Sequence, residues 1–106
     1  VSTFEPKRAV HRITLPITDR ADIGQVVGFR RALHAAPARP HIGNPEREFE
    51  LWYEIDSRLD EHLYELRVHV AGTGHPITHL GEYVSTMSTA NGQLIWHVYV
   101  EYPAAS

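Results

Sequence analysis

The 106-residue chain contains no cysteine. Disulfides, thiolate nucleophiles and sulfur-ligated zinc sites are therefore excluded, and the absence fits a reducing compartment. No run of 18 apolar residues occurs, so no transmembrane helix is expected. The opening residues VSTFEPKRAV lack the apolar stretch of a secretory signal, and a cytoplasmic protein is the expectation. A basic excess is also missing. Ten Lys and Arg face 13 Asp and Glu, a formal net charge of −3, which argues against a dedicated nucleic-acid binder, although Arg30 and Arg31 with Arg39 could form a local basic patch. No GxSxG or GxGxxG motif and no internal repeat is present. The length allows one domain, residues 1–106, with 1–8 and 103–106 expected as flexible tails, and the 42% apolar content suffices for a core without staples.

What is present is mostly alternation of period two. Phe49, Leu51, Tyr53 and Ile55 alternate with Glu48, Glu50, Trp52 and Glu54, which predicts a half-buried strand with an acidic, solvated outer face. Leu66, Val68 and Val70 alternate in the same way, turning His69 toward solvent. From Gln93 to Tyr102 both faces carry apolar bulk, which predicts a central strand covered on two sides. His11, Ile13, Leu15 and Ile17 predict a strand that either ends at Pro16 or lies at a sheet edge there, because proline cannot donate to a ladder. Tyr83 to Ser88 predicts the penultimate strand, joined to the last by a tight hairpin at Asn91-Gly92. Residues 22–38 fit either a helix, with Val26, Phe29, Leu33 and Ala36 on one face, or a strand; the surrounding strands favour strand. Pro37 to Pro45 is a loop, and Arg58 to His62 a turn or one short helix. Six to seven short strands predict an all-β, antiparallel sandwich or small barrel-like domain.

The stretch GTGHPITHLGEY, residues 72–83, concentrates glycine, proline and histidine between two strands. Eight histidines in the chain raise a metal hypothesis built on His69, His75, His79 and His97. Pro76 and Gly74 oppose the helix on which His75 and His79 would chelate, so no metal ligand set, cofactor or catalytic residue is assigned. The favoured reading is a sharp inter-strand corner whose glycines supply unusual backbone angles and whose histidines tie the turn down. A ligand site formed by Gly72, Thr73, Gly74, His75, His79 and His97 is the alternative. Trp52 on an outer face is the candidate anchor for a protein partner, with Glu50, Glu54 and the proline-rich loop completing the expected contact surface. The competing reading is that the Pro37 to Pro45 loop folds over it.

GTGHPI at residues 72–77, then Tyr83-Val84, Thr86, Gly92 and Ile95-Trp96-His97-Val98, resembles a family of small uncharacterised proteins of tailed phages of actinobacteria. Leu51-Trp52 with Ile55-Asp56, and Leu33-His34, resemble that family's upstream strands. Ser85 stands where the family often has glycine, and the loop from Ala38 to Arg47 is longer. The resemblance implies a phage-encoded accessory protein made inside a bacterial cell, and no reaction. The resulting expectation is a non-enzymatic protein that binds a host or phage protein, with a strand edge that could pair two copies as a homodimer. A module sequestering a small molecule is the second reading, and a histidine-metal enzyme the third.

Overall fold

A computed structural model describes residues 8–59, 62–78, 81–89 and 92–103. Alternating residues become seven strands: β1 (Arg8–Pro16), β2 (Arg20–Val27), β3 (Phe29–Pro37), β4 (Glu48–Asp56), β5 (Leu63–Gly72), β6 (Glu82–Thr89) and β7 (Leu94–Glu101). They form a three-stranded sheet in the order β1-β4-β3 and a four-stranded sheet in the order β2-β5-β7-β6, with every pair antiparallel. Between β4 and β5 lies one 3₁₀ turn, Ser57–Leu59, and among the described residues there is no α-helix. Arg8 already belongs to β1, and the Pro103 carbonyl accepts a bond from the Glu65 N–H at 3.0 Å, so neither residue is part of a free tail. The rest of the expected tails lies outside the described residues.

The ambiguous segment 22–38 is extended, but it is two strands in two sheets rather than one. Only Gly28 separates β2 from β3, and β2 pairs with β5 while β3 pairs with β4. Residues 20–37 and 48–72 thus make one long hairpin, bent at Gly28 where the chain passes from sheet to sheet. Gly28 has φ of 72°, donates its N–H to the His62 carbonyl at 2.9 Å and accepts the Asp56 N–H at 2.8 Å. A Cβ there would lie 2.5 Å from the Asp56 carbonyl oxygen, so the corner requires glycine both for its angle and for its clearance.

Phe29, the next residue, fills the space beneath the bend with its ring 4.8 Å from that of Tyr102 and 6.0 Å from that of Tyr53. Leu51, Leu66, Val68, Met87, Val98 and Val100 extend this core between the sheets. β3 and β6 meet across the sandwich, where the Ser85 hydroxyl donates to the Ala35 carbonyl at 2.7 Å and accepts the Ala35 N–H at 3.3 Å. A bulge between Tyr83 and Ser85 turns this serine inward.

β1 is an edge strand ending at Pro16, as the alternation predicts. The β6–β7 hairpin is present, with Gly92 at φ of 85°; Asn91 lies outside the described residues. β7 departs from expectation. Val98 and Val100 are buried, but Ile95 is exposed and His97 and Tyr99 are half-buried, so the strand is interior to its sheet yet covered on one face only.

Candidate functional site

On β4 the outward positions are Glu48, Glu50, Trp52, Glu54 and Asp56, flanked in register by Arg8 and Arg12 of β1 and by Arg31 and His34 of β3. The expected solvated acidic face is not what forms. Glu50 and Asp56 are buried, at 0% and 2% exposure, because six arginines close over the strand. Arg39 binds Glu50 through its guanidinium at 2.8 and 2.9 Å and through its backbone N–H at 3.0 Å. Arg58 grips Asp56 in the same manner, with guanidinium contacts at 2.7 and 3.0 Å and a backbone bond at 2.9 Å. Glu54 Oε1 is buried without a hydrogen bond and is compensated by ion-pair contacts to Arg30 at 3.1 Å and Arg31 at 3.8 Å.

Burying carboxylates is costly unless each is paired and hydrogen-bonded, and two-pronged guanidinium contacts meet that requirement. The Arg39 hydrogen bonds hold the Glu50 carboxyl down at about 2, against the opposing effect of desolvation. Those from Arg58 hold Asp56 well below the usual carboxylate range. Trp52 is not a bare anchor either. His34 stacks on its ring at 5.9 Å and Arg39, from the proline-rich loop, lies 6.0 Å from the ring centre, so the indole is half-buried. Trp52 thus faces outward with the Pro37 to Pro45 loop reaching over it through Arg39. Val10, 59% exposed, shares this outward face and stands opposite Glu54, one diagonal step from Trp52.

The four-stranded sheet presents a second outer face. Ala71 pairs with His97 and His69 with Tyr99, which places the GTGHPI corner at the end of β5 beside β7. The corner is built as its glycines suggest. Gly74 has φ of 89°, His75 donates its N–H to the Gly72 carbonyl at 3.0 Å, and the His75 ring folds back over Gly72. His97 bonds Thr73 at 2.8 Å through Nε2 and Thr86 at 3.0 Å through Nδ1; Tyr83 meets Thr86 at 2.6 Å. His97 therefore ties the turn to β6 and has both ring nitrogens engaged.

Next to it an open groove of about 680 Å³ is lined by Asp19, Arg20, His69, His75, Thr78 and Glu101, among others. His69 does not point to solvent as expected; it is 9% exposed and hydrogen-bonded to Glu101. Of the six residues of the alternative ligand site, His75 reaches this groove, Thr73 and His97 pair with each other, and Gly72 packs beneath the His75 ring. Gly74 stands in open space and His79 lies outside the described residues. Among the described residues no group of three His, Asp or Glu could hold a metal ion.

Sequence reasoning missed the arginine cover and the His69–Glu101 pair. Only a part of the first was detectable: Arg8 and Arg12 share the outward parity of β1, whereas Arg39 and Arg58, which hold Glu50 and Asp56 most closely, come from outside the strands. A family profile described as Domain of unknown function (DUF7352) matches residues 6–106. No curated protein and no solved structure matches the chain.

Proposed function

The chain belongs to the family described as Domain of unknown function (DUF7352), and from that premise we propose that it is a non-enzymatic binding protein. It is encoded by a phage, acts inside the bacterial cell, and contacts a host or phage protein through the outer face of the three-stranded sheet. The observation that carries this reading is Trp52, clamped by His34 and Arg39, on a strand face along which six arginines are paired, four of them with side chains at least half exposed. Aromatic and arginine side chains held rigid before contact supply binding energy at low entropic cost. The face presents guanidinium rather than carboxylate to its partner, so Glu50 and Glu54 act from beneath, as holders of the arginines.

Affinity purification from an actinobacterial lysate tests it, comparing the natural chain with Arg31→Glu/Arg39→Glu and with His75→Ala. One protein should be retained by the natural chain and by His75→Ala and lost with the charge reversal. Retention by the reversed face together with loss on His75→Ala would move the contact to the other sheet and sink the proposal.

The groove beside the GTGHPI corner supports a second reading, a module that sequesters a small polar molecule. Its favouring observation is the convergence of His69, His75, Thr78, Arg20 and Glu101 on one concavity. Native mass spectrometry of the untagged protein would show a small added mass lost on denaturation; a bare chain mass after incubation in lysate counts against it.

A further inference from the structure

β1 is the outermost strand of its sheet and has β4 as its single ladder neighbour among the described residues. Residues 8–12 are exposed, with Val10 at 59%. An edge of this kind presents unpaired backbone groups and can accept another strand.

The outward side chains of this edge are not neutral. Arg8 and Arg12 stand on either side of Val10, about 14 Å apart at the usual rise of a strand. Each touches a buried carboxylate that another arginine already holds more closely. Arg8 Nε lies 3.7 Å from Asp56, which Arg58 already holds at 2.7 Å. Arg12 Nη1 lies 3.3 Å from Glu50, which Arg39 already holds at 2.8 Å. Six guanidinium groups over three carboxylates leave positive charge to spare, and two of the loosely held cations sit on the free edge.

A second copy of the chain is a poor occupant. Antiparallel pairing of two β1 strands about Val10 would set Arg8 of each against Arg12 of the other, and like charges directly opposite destabilise a sheet. The same arginines that discourage self-pairing favour a strand of opposite charge. Nucleic acid lacks the backbone amides that an open edge would satisfy, and Trp52, already stacked by His34, offers no free platform for a base.

We propose that the β1 edge binds an extended acidic segment of a protein partner by strand addition. Carboxylates four residues apart meet Arg8 and Arg12, and an apolar residue midway between them lies against Val10. This inference rests on the reading of the three-stranded sheet as a protein-binding face and specifies the partner's chemistry.

The probe is a capped peptide of about nine residues, the length of an ordinary strand, with two glutamates four apart, valine between them and threonine elsewhere. It is titrated into the isotope-labelled full chain at low salt and followed by amide NMR. Shifts should centre on residues 8–12, and replacing both glutamates by glutamine should weaken binding about tenfold, as should Arg8→Gln with Arg12→Gln in the protein. A peptide N-methylated at alternate amides, with its charge unchanged, should lose binding altogether.

Equal binding by the methylated peptide, or shifts centred on Arg31 and Arg39 instead, would overturn strand addition. Tighter binding of oligothymidylate at the same arginines would overturn the choice of partner, and concentration-dependent shifts of residues 8–12 without peptide would point to a second copy. Absence of peptide binding while the lysate partner still distinguishes the reversed face would defeat this inference and leave the protein-binding reading standing. Failure of both would remove both.

Discussion

The outer faces of the two sheets are built from similar polar stock and use it in opposite ways. On the three-stranded sheet, Glu50 and Asp56 are shut away from water beneath arginines that grip them with several hydrogen bonds each. On the four-stranded sheet, exposed Thr73, Thr86 and Tyr83 and half-buried His97 form a chain of hydrogen bonds, and Arg20 pairs with Asp22 in the open. The difference is one of what each group would lose. A buried carboxylate without its arginine has no water to fall back on, whereas an exposed hydroxyl or imidazole exchanges one partner for solvent at little cost. The first face accordingly holds Glu50, Asp56, Arg39 and Arg58 in place, while the hydroxyls and imidazole of the second can exchange a partner for solvent.

The largest test removes the bend on which both faces depend. Gly28→Ala should cost about 3–4 kcal/mol in urea denaturation, from its positive φ and its collision with the Asp56 carbonyl. A loss below about 1 kcal/mol would mean that the corner relaxes easily. Next, Glu50→Gln should cost about 2 kcal/mol, since it removes the charge that holds Arg39, whereas Thr86→Val on the other face should cost about 0.5 kcal/mol. Equal losses would erase the contrast between the faces. Between these falls Ser85→Ala, at about 1–2 kcal/mol, because it strips a buried bridge between the sheets without touching either outer face.

The contrast also has a pH signature. The folded value for Glu50, about 2, lies below its ordinary 4.5, so the unfolded chain takes up the proton first as pH falls. The stability contributed by this carboxylate is full above about 4.5 and is lost from there down through about 2. Acid titration of unfolding free energy in the natural chain and in Glu50→Gln should converge across that window. Parallel curves would show that Glu50 is not the group being titrated.

Much of this was legible in the sequence where alternation was unbroken. Phe49 to Ile55, Leu66 to Val70 and the hairpin before Leu94 all appear as strands with the expected inward residues. Parity says which side of a strand a residue takes, but not what will lie over it. That is why Glu50 reads as solvated although arginines from β1 and from the loop after β3 cover it. Segment 22–38 was harder, because a single glycine moves the chain between sheets without interrupting its extended course. Ser85 gave no local sign of its role, because its bond to Ala35 spans 50 residues that local pattern cannot join. The GTGHPI corner was readable as a turn from its glycines, while the closeness of His69 to Glu101 depends on the pairing of β5 with β7.

The bend at Gly28 also bears on how the molecule comes apart. Backbone bonds from Gly28 to His62 and from Asp56 to Gly28 run straight through the corner, so neither sheet can open on its own without tearing the ladder it shares with the other. The amide protons of Gly28 and Asp56 should then exchange with solvent only when the whole chain unfolds, at the rate of the slowest core amides. The GTGHPI corner, joined to its neighbour through exposed side chains, should exchange in far smaller excursions, so that one chain holds both a single cooperative frame and a part free to breathe.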